Sequence, residues 1–338
     1  MNPDLSHSAP QVRPSVPESS VSETRKMLFP AGSIKRWNTV AILVVLVIAS
    51  SFVSADFLTV PNLSNVSRQV AGIGIMSIGM LLVVLTGGID LSIGSVAALA
   101  GVITAMLIPE HGLVLAIVVG LLSGAVCGTL CGFLISHYRL SPFVVTLAMM
   151  TVARGLALIL SKGAPVLVDD PGQPLLDFGR DTLLGLPQPT VVMLIVFAVG
   201  AVFLGYTRAG RLVRAIGSNE EAVRLSGVSV SRYALLTYVV SGLLAAAAGV
   251  VAVGRAGVGA PTSGVGDELT VIAAVVIGGA SLAGGRGNVL NTLVGVFTLG
   301  IIANIMNLTS VPGYHQQVVM GVIIMVAILA QRGSGTRH

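Results

Sequence analysis

The chain has 338 residues, of which 54% are apolar or aromatic and only 10% are charged. A soluble domain carries about 25% charged residues, because much of a folded surface must be wetted. The composition therefore excludes a soluble enzyme, and it also excludes disorder for most of the chain. The net charge of +5 is interpreted as a topology signal, since Lys and Arg accumulate on the cytoplasmic side of membrane proteins.

Apolar runs long enough to cross a membrane occur along the whole chain, since a span needs about 20 predominantly apolar residues. They predict an all-α polytopic membrane protein with about ten transmembrane helices. The predicted spans lie near 38–54, 66–86, 89–107, 112–136, 142–160, 190–206, 233–254, 268–285, 288–308 and 314–330. The boundaries at 87–90 and 268–287 are the least defined, because an unwound or re-entrant glycine-rich segment gives the same pattern.

The charge distribution predicts that both termini are cytoplasmic. With the N-terminus inside, 14 of the 19 basic residues fall on cytoplasmic segments, in agreement with the positive-inside rule. Residues 1–36, rich in Ser and Pro, are predicted to form a disordered cytoplasmic tail, 37–331 the transmembrane domain and 332–338 a second cytoplasmic tail. Two loops are long: 207–232 on the cytoplasmic side and 161–189 on the outer side.

Motifs for catalysis or nucleotide binding are missing from the sequence. A phosphate-binding P-loop needs Gly-Lys followed by Ser or Thr, and none of the lysines (Lys26, Lys35 and Lys162) follows a glycine. Cys127 and Cys131 lie four residues apart in one apolar run, which is not metal-ligand spacing, so no metal site is expected. No catalytic residue is assigned, and the energy for moving a solute is expected to come from a partner ATPase.

Two glycine-rich segments interrupt the predicted spans. The first, 87–95, reads GGIDLSIGS, and the second, 278–287, reads GGASLAGGRG. Asp90 would cap the helix that follows and hold the break open, or it is a plain N-cap at a tight helix hairpin. The candidates for a pathway or structural role are Gly87, Gly88, Asp90, Ser92, Gly278, Gly279, Gly284 and Gly285.

The two glycine-rich segments also resemble each other. Gly87-Gly88 align with Gly278-Gly279, which predicts a weak internal repeat, because Gly-interrupted segments in matching halves are typical of transporter folds.

Charges inside or at the edge of a span are expensive in lipid and indicate function by default. Asp90 and Arg154 are the strong candidates of this kind.

Glycine recurs every four residues in the fourth predicted span. The residues are Gly120, Gly124, Gly128 and Gly132. This spacing puts them on one face of a helix, which predicts that another helix packs there at close backbone distance.

The cytoplasmic loop 207–232 contains a short amphipathic stretch, SNEEAVRLSG. Ser218 or Asn219 can cap a short helix whose first turn holds two glutamates, where the helix dipole favours them. Gly227 can end that helix in a left-handed conformation. A short helix at the membrane face is the kind of element that docks into a partner protein. The alternative is an amphipathic connector held by anionic lipid.

The motifs GGIDLSIGS, AIGSNEEAVRLSGV and DELTVIAAVVIGGASLAGGRGNVLNTLVG, followed by GYHQQVVMG, occur in this order. Together they resemble the membrane subunits of ABC importers for sugars, the ribose/xylose/galactose-type permease family. The resemblance covers roughly residues 60–330. The chain departs from the family pattern at Ser218, where the family often has Gly, and in its long 1–36 tail.

The resemblance implies a multi-pass permease subunit of the bacterial cytoplasmic (inner) membrane that translocates a monosaccharide by alternating access. The implied partners are a cytoplasmic ABC ATPase, which binds ATP and Mg, an extracytoplasmic sugar-binding protein, and a second permease copy or homologue that completes a dimer. Membrane lipid surrounds the chain, and neither nucleic acid nor a cofactor of its own is expected.

By that similarity, one segment of the cytoplasmic loop contacts the ATPase. It comprises Gly217, Ser218, Asn219, Glu220, Glu221, Ala222, Leu225 and Gly227. Five outer residues are candidates for docking the binding protein, although such residues are equally typical of wetted loop ends. They are Asp267, Glu268, Tyr314, Gln316 and Gln317.

Three alternatives stay open from the sequence. A related permease would carry branched-chain amino acids or a signalling furanose. A stand-alone secondary transporter would need buried Asp, Glu or His in several spans, and apart from Asp90 these are missing. An intramembrane enzyme would need a nucleophile with its base, or metal ligands, and none is visible.

Overall fold

The computed structural model describes residues 31–333, which form thirteen α-helices and four two-residue strands. The helices are α1 Ala31–Val53, α2 Val60–Leu85, α3 Ile93–His111, α4 Leu113–Tyr138, α5 Pro142–Leu160, α6 Gln173–Arg180, α7 Gln188–Tyr206, α8 Arg208–Ser218, α9 Glu220–Leu225, α10 Val230–Ala256, α11 Asp267–Ile277, α12 Val289–Leu308 and α13 Gly313–Gly333. Since α1 begins at Ala31, the last six residues of the predicted 1–36 tail are helical. Residues 1–30 and 334–338 lie outside the described part of the chain.

Seven of the described helices are long and apolar enough to cross a membrane: α2, α3, α4, α5, α7, α10 and α12. The chain is therefore a polytopic, mostly helical membrane protein. A helix overlaps every one of the ten predicted spans. The apolar parts described for α1 and α13, Thr39–Val53 and Gly313–Val326, are shorter, so the count of ten spans stays a prediction.

The eighth predicted span, 268–285, is wrong in its second half. Helix α11 has only 11 residues and ends at Ile277. Gly278 and Gly279 follow, and Gly279 has a φ of +82°, a left-handed conformation that glycine adopts at little energetic cost. Hydropathy alone does not register this stop, because residues 278–285 are uncharged and mostly small and so prolong the apolar run.

The helices α2, α3 and α10 form the interior, while α4 and α5 expose most of their apolar side chains. Exposed apolar faces on the outer helices are expected for a protein surrounded by lipid. The glycine stripe of α4 packs against the backbone of α10: a Cβ atom at Gly124 or Gly128 would overlap the carbonyl oxygen of Gly242 or Tyr238, respectively, and one at Gly132 would lie 2.9 Å from that of Leu235. This confirms the close helix contact predicted for that stripe.

Segment 161–189 is more structured than a plain loop. It contains β1 (Val166–Leu167), a 3-10 helix at Asp170–Gly172, α6, and the strands β2 (Thr182–Leu183) and β3 (Leu186–Pro187), which pair with each other. Strand β1 pairs antiparallel with β4 (Val258–Gly259).

The two ends of the bundle can be named from α6 and α8. Gly179 of α6 packs directly on Gly254 near the end of α10, whereas α8 and α9 precede the start of α10. We call these the α6 end and the α8 end.

A pair of asparagine side chains joins α2 to α12. Asn304 is buried, and the amides of Asn62 and Asn304 exchange two hydrogen bonds of 3.0 and 2.8 Å. Interhelical polar contacts of this kind contribute about 0.6–2 kcal/mol in membranes, so the pair helps to fix the register of α12 against α2.

Candidate functional site

Helix α2 ends at the first glycine-rich break in a Schellman motif. The Gly87 amide donates to the carbonyl of Val84 at 2.9 Å, and the Gly88 amide donates to that of Val83 at 3.1 Å. Gly87 has a φ of +83°, which the motif requires at this position and which favours glycine. Gly88 is buried, and a Cβ atom there would overlap the hydroxyl of Tyr238.

Helix α11 ends in the same motif. The Gly279 amide donates to Val276 at 2.8 Å, and the Ala280 amide donates to Val275 at 3.1 Å. The structural equivalent of Gly87 is therefore Gly279, one residue later than the sequence alignment of the glycine pairs suggests. Gly278 packs against α12, where a Cβ atom would lie 2.8 Å from the backbone of Asn291.

Asp90 is buried, with 1% of its surface exposed, and its carboxylate accepts three hydrogen bonds. The Ser92 amide and hydroxyl donate to Oδ1 at 3.0 and 2.6 Å, and the Ser241 hydroxyl of α10 donates to Oδ2 at 2.7 Å. The carboxylate thus ties the break to α10 as well as capping the chain before α3. Tyr238, one turn from Ser241, has a buried hydroxyl with no partner among the described residues.

The two breaks meet at the α8 end of the bundle. The Gly285 amide donates to the Leu85 carbonyl at 3.0 Å. Gly217 of α8 lies against both: a Cβ atom on Gly217 would overlap the Leu85 oxygen and lie 2.5 Å from the Gly285 nitrogen. Gly284 faces Gly217 across the same contact. We call Leu85, Gly217, Gly284 and Gly285 the glycine junction.

The loop 207–232 forms two helices rather than one. Gly217 and Ser218 end α8, and Asn219 separates them from α9. The Asn219 side chain accepts a hydrogen bond from the Ala222 amide at 2.9 Å, which confirms the predicted cap. The Ser218 hydroxyl instead donates to the carbonyl of Arg214 at 3.1 Å. Gly227, with a φ of +79°, follows the end of α9 as predicted.

Helix α9 offers an exposed surface beside the glycine junction. Glu220, Glu221 and Ala222 are exposed, Leu225 is 79% exposed, and Val223 is buried beneath them. Glu221 pairs with Arg224 one turn away. The surface therefore combines two carboxylates at a helix N-terminus with the exposed apolar side chain of Leu225. Contacts within the chain do not explain why this side chain faces outward.

The segment before α11, residues 258–266, enters the interior of the helix bundle. Gly259 contacts α3 at Gly101 and Ala105, whereas Gly264 contacts α3 at Gly94. Eleven helical residues separate Gly94 from Ala105, which corresponds to roughly 16 Å along the helix axis. Residues 258–266 thus run along α3 into the bundle, and α11 starts inside it.

This descent corrects the placement of Asp267 and Glu268, which the sequence suggests are at an outer loop end. Both lie in the first turn of α11, within the bundle. Glu268 reaches toward Gly94 of α3, and its Oε1 accepts from the Gly266 amide at 3.3 Å. Arg154 of α5 holds the descending segment by donating to the carbonyls of Pro261 and Ser263, both at 2.6 Å.

A cavity of about 670 Å³ lies between α2, α3, α10, α11, α12 and α13. Three of the predicted docking residues line it: Asp267, Gln316 and Gln317. Tyr314 does not; it is exposed beside His315, with the two ring centres 4.5 Å apart. Glu268 and Arg154 instead line a separate cavity of about 360 Å³ on the other side of α11.

Residues 62–328 match the family model described as branched-chain amino acid transport system / permease component. The chain belongs to this permease family. The match covers both glycine-rich breaks, the glycine junction, α8, α9 and the cavity, so all of these are parts of the permease. A permease is a transport component, and the chain is therefore a transport subunit rather than an enzyme.

Curated relatives match the permease over most of their length. This chain is 43% identical over 291 residues to the ribose import permease protein RbsC of Bacillus subtilis, and the match covers 86% of this chain and 90% of the relative. It is 39% identical over 308 residues to RbsC of Escherichia coli K12, with 90% and 96% covered. It is 36% identical over 321 residues to the L-arabinose ABC transporter permease protein AraH of Azospirillum brasilense, with 95% and 94% covered. No solved structure matches the chain.

Most residues of the site were predicted from the sequence, but the contacts between them were not. Leu85, Ser241 and Tyr238 carry no motif, because each sits in an apolar run that reads as an ordinary span. Gly217 was predicted to lie just before the helix cap, but it lies within α8, where glycine is unfavourable unless a backbone approaches closely.

Proposed function

We propose that this permease moves a monosaccharide across the bacterial cytoplasmic membrane as the membrane subunit of an ABC importer. A separate cytoplasmic ATPase binds ATP and Mg and supplies the energy, and an extracytoplasmic binding protein delivers the sugar. A second permease copy or homologue completes a dimer. The relatives named for ribose and L-arabinose import support a pentose or similar sugar as the solute.

The observation that carries this proposal is the contact between α8 and both glycine-rich breaks. The exposed α9 surface is suited to bind the ATPase, and Gly217, next to it in the chain, touches Leu85 and Gly285 directly. A displacement of α8 and α9 therefore moves the end of α2, and also the segment 278–288 that links α11 to α12, without an intervening side chain. Because α2 and α11 also line the cavity, the same displacement alters the cavity, which is the requirement for alternating access.

Orientation follows from charge. The α8 end carries basic residues of the loop 207–232, namely Arg208, Arg211, Arg214, Arg224 and Arg232, so it faces the cytoplasm under the positive-inside rule. The α6 end then faces outward, where the binding protein docks. Of the predicted docking residues, Tyr314 and Gln317 are exposed there and are assigned to that contact.

Charge reversal of the two glutamates on α9 tests the ATPase contact. The Glu220→Lys/Glu221→Lys variant places cations at a helix N-terminus and reverses the charge offered to the partner. We expect the tagged chain to enter the membrane at the wild-type level while the amount of co-purified ATPase falls by about tenfold or more.

The matched control is Asp169→Lys/Asp170→Lys, which makes the same change in charge at exposed residues of the α6 end. It is expected to co-purify the ATPase like the wild type. Unchanged co-purification with the α9 variant would remove α9 from the ATPase contact.

Branched-chain amino acids are the second candidate solute, favoured by the description of the family model. Uptake assays with labelled ribose, L-arabinose and leucine on the same vesicles separate the two candidates. Leucine uptake without sugar uptake would replace the monosaccharide assignment and leave the importer architecture intact.

A further inference from the structure

The cavity between α2, α3, α10, α11, α12 and α13 has the size and the polar groups of a small-molecule site. Its volume of about 670 Å³ falls in the range of roughly 300–1,000 Å³ that is typical of ligand pockets. Along α2 it extends from Arg68 to Met76, eight residues or roughly 12 Å of helix. It therefore reaches from near the α6 end well into the bundle.

The residues that line the cavity are of two kinds, polar residues and small or aliphatic apolar residues. The amide, carboxylate, hydroxyl and guanidinium groups on the wall include those of Gln69, Arg255, Asp267, Thr270, Gln316 and Gln317. Glycine, alanine and aliphatic residues form most of the remaining wall, and none of the described residues that line this cavity is aromatic. Aromatic rings supply large contact areas in tight sites, so a solute held here without them is held weakly, as a transit site requires.

Asp267 is the polar group that most needs a ligand. Its carboxylate lines the cavity, and it lies at the first residue of α11, where the descending segment 258–266 has brought the helix start into the bundle. No described residue donates a hydrogen bond to this carboxylate. An ionised carboxylate accepts only, and a partly buried one without a donor is destabilised.

We propose that this cavity is the solute site of the permease and that Asp267 accepts hydrogen bonds there from the hydroxyl groups of a neutral monosaccharide. The assignment rests on the proposed function. Hydroxyls both donate and accept, so a sugar also pairs with the amide of Gln69 and donates to the hydroxyl oxygen of Thr270, whose own proton goes to the Gly266 carbonyl at 3.2 Å. Gln316 is already tied, since its amide donates to Asn307 and Val311 at 2.8 and 2.9 Å, and it retains an acceptor oxygen.

A graded series at Asp267 tests the assignment in proteoliposomes that contain the complete importer. Asp267→Asn keeps the shape and weakens the acceptor, whereas Asp267→Leu removes the acceptor. We expect the KM for ribose or L-arabinose uptake to rise by about threefold with Asn and by about tenfold with Leu, as for loss of one hydrogen bond to a charged group. ATP hydrolysis without sugar stays at the wild-type rate. Asp169→Asn and Asp169→Leu, at an exposed residue outside both cavities, serve as controls.

Protection from chemical labelling gives a second readout that does not depend on transport rate. Thr270→Cys introduces a thiol into the cavity, while the native Cys127 and Cys131 are buried on α4 away from it. A water-soluble methanethiosulfonate reagent should label the variant and leave the wild type nearly unlabelled. Ribose or L-arabinose, whichever sugar the vesicles import, should slow the labelling by about threefold or more at saturation, and leucine should not.

The outcomes separate the two levels of the assignment. Sugar uptake with unchanged KM in the Asp267 variants, together with no protection of Thr270→Cys, overturns the cavity assignment and leaves the importer intact. Absence of uptake of every sugar overturns the proposed function and the cavity assignment with it. Protection by leucine alone overturns the monosaccharide as ligand.

Discussion

Replacing Gly217 with alanine is expected to disconnect ATP hydrolysis from solute uptake. The added methyl group would overlap the Leu85 carbonyl oxygen and lie 2.5 Å from the Gly285 nitrogen. Both neighbours are backbone atoms, so no side chain can rotate away and α8 must separate from the two breaks. Overpacking of this kind costs about 1–3 kcal/mol, and here it acts on the contact assigned to transmit motion. We expect uptake to fall by about tenfold or more, while the ATPase remains bound and active.

Gly205→Ala is the matched control for this variant. Gly205 lies one residue before the end of α7, close in sequence to α8, and a Cβ atom there meets no atom of the described residues within 4 Å. Uptake and ATP hydrolysis are measured on the same proteoliposome preparations for both variants. Coupled, wild-type uptake by Gly217→Ala would show that the glycine junction does not transmit the movement.

Replacing Asp90 with leucine is expected to cause a large loss of stability. It removes the acceptor of three hydrogen bonds from Ser92 and Ser241 in a buried site. A buried donor left without a partner costs about 1–3 kcal/mol, although a serine hydroxyl in a helix can turn to a carbonyl of the preceding turn. We therefore expect a loss of about 2–4 kcal/mol in total. Loss of transport follows because the break is no longer tied to α10.

Thermal unfolding in detergent measures this effect. Asp56→Leu makes the same substitution at an exposed position and is expected to unfold like the wild type. Ser241→Ala removes one of the three bonds and should lower stability by about 1 kcal/mol. Its effect should shrink in the Asp90→Leu background, because the partner is already gone. Additive effects would contradict the interaction between Asp90 and Ser241.

The order of the helices could be predicted from the sequence because the apolar runs are long and polar segments separate them. The prediction for 142–160 agrees with the bounds of α5, and the α4 glycine stripe predicted a close contact that the structure contains. The N-cap at Asn219 was predictable because capping is local. The signals for these features lie in residues close together in the sequence, although the partner helix of the glycine stripe, α10, was not predicted.

Depth in the membrane and long-range backbone contacts could not be predicted in this way. Asp267 reads as the wetted end of a loop, but packing of Gly264 against Gly94 carries the chain into the bundle. The partners of Gly217 are backbone atoms of Leu85 and Gly285, which lie 132 and 68 positions away in the sequence. A backbone contact of this kind leaves no residue-type signature except the glycine itself. Ser241 likewise looks like one small polar residue in an apolar helix.

ATP-driven sugar uptake by the reconstituted chain tests the central assignment most directly. The tagged chain is purified with its partner ATPase, reconstituted with the binding protein, and supplied with labelled ribose or L-arabinose. We predict uptake that requires ATP, is unaffected when ion gradients are collapsed, and is lost with Glu220→Lys/Glu221→Lys. Uptake by the chain alone, driven by an ion gradient without ATP, would contradict the assignment and identify a secondary transporter.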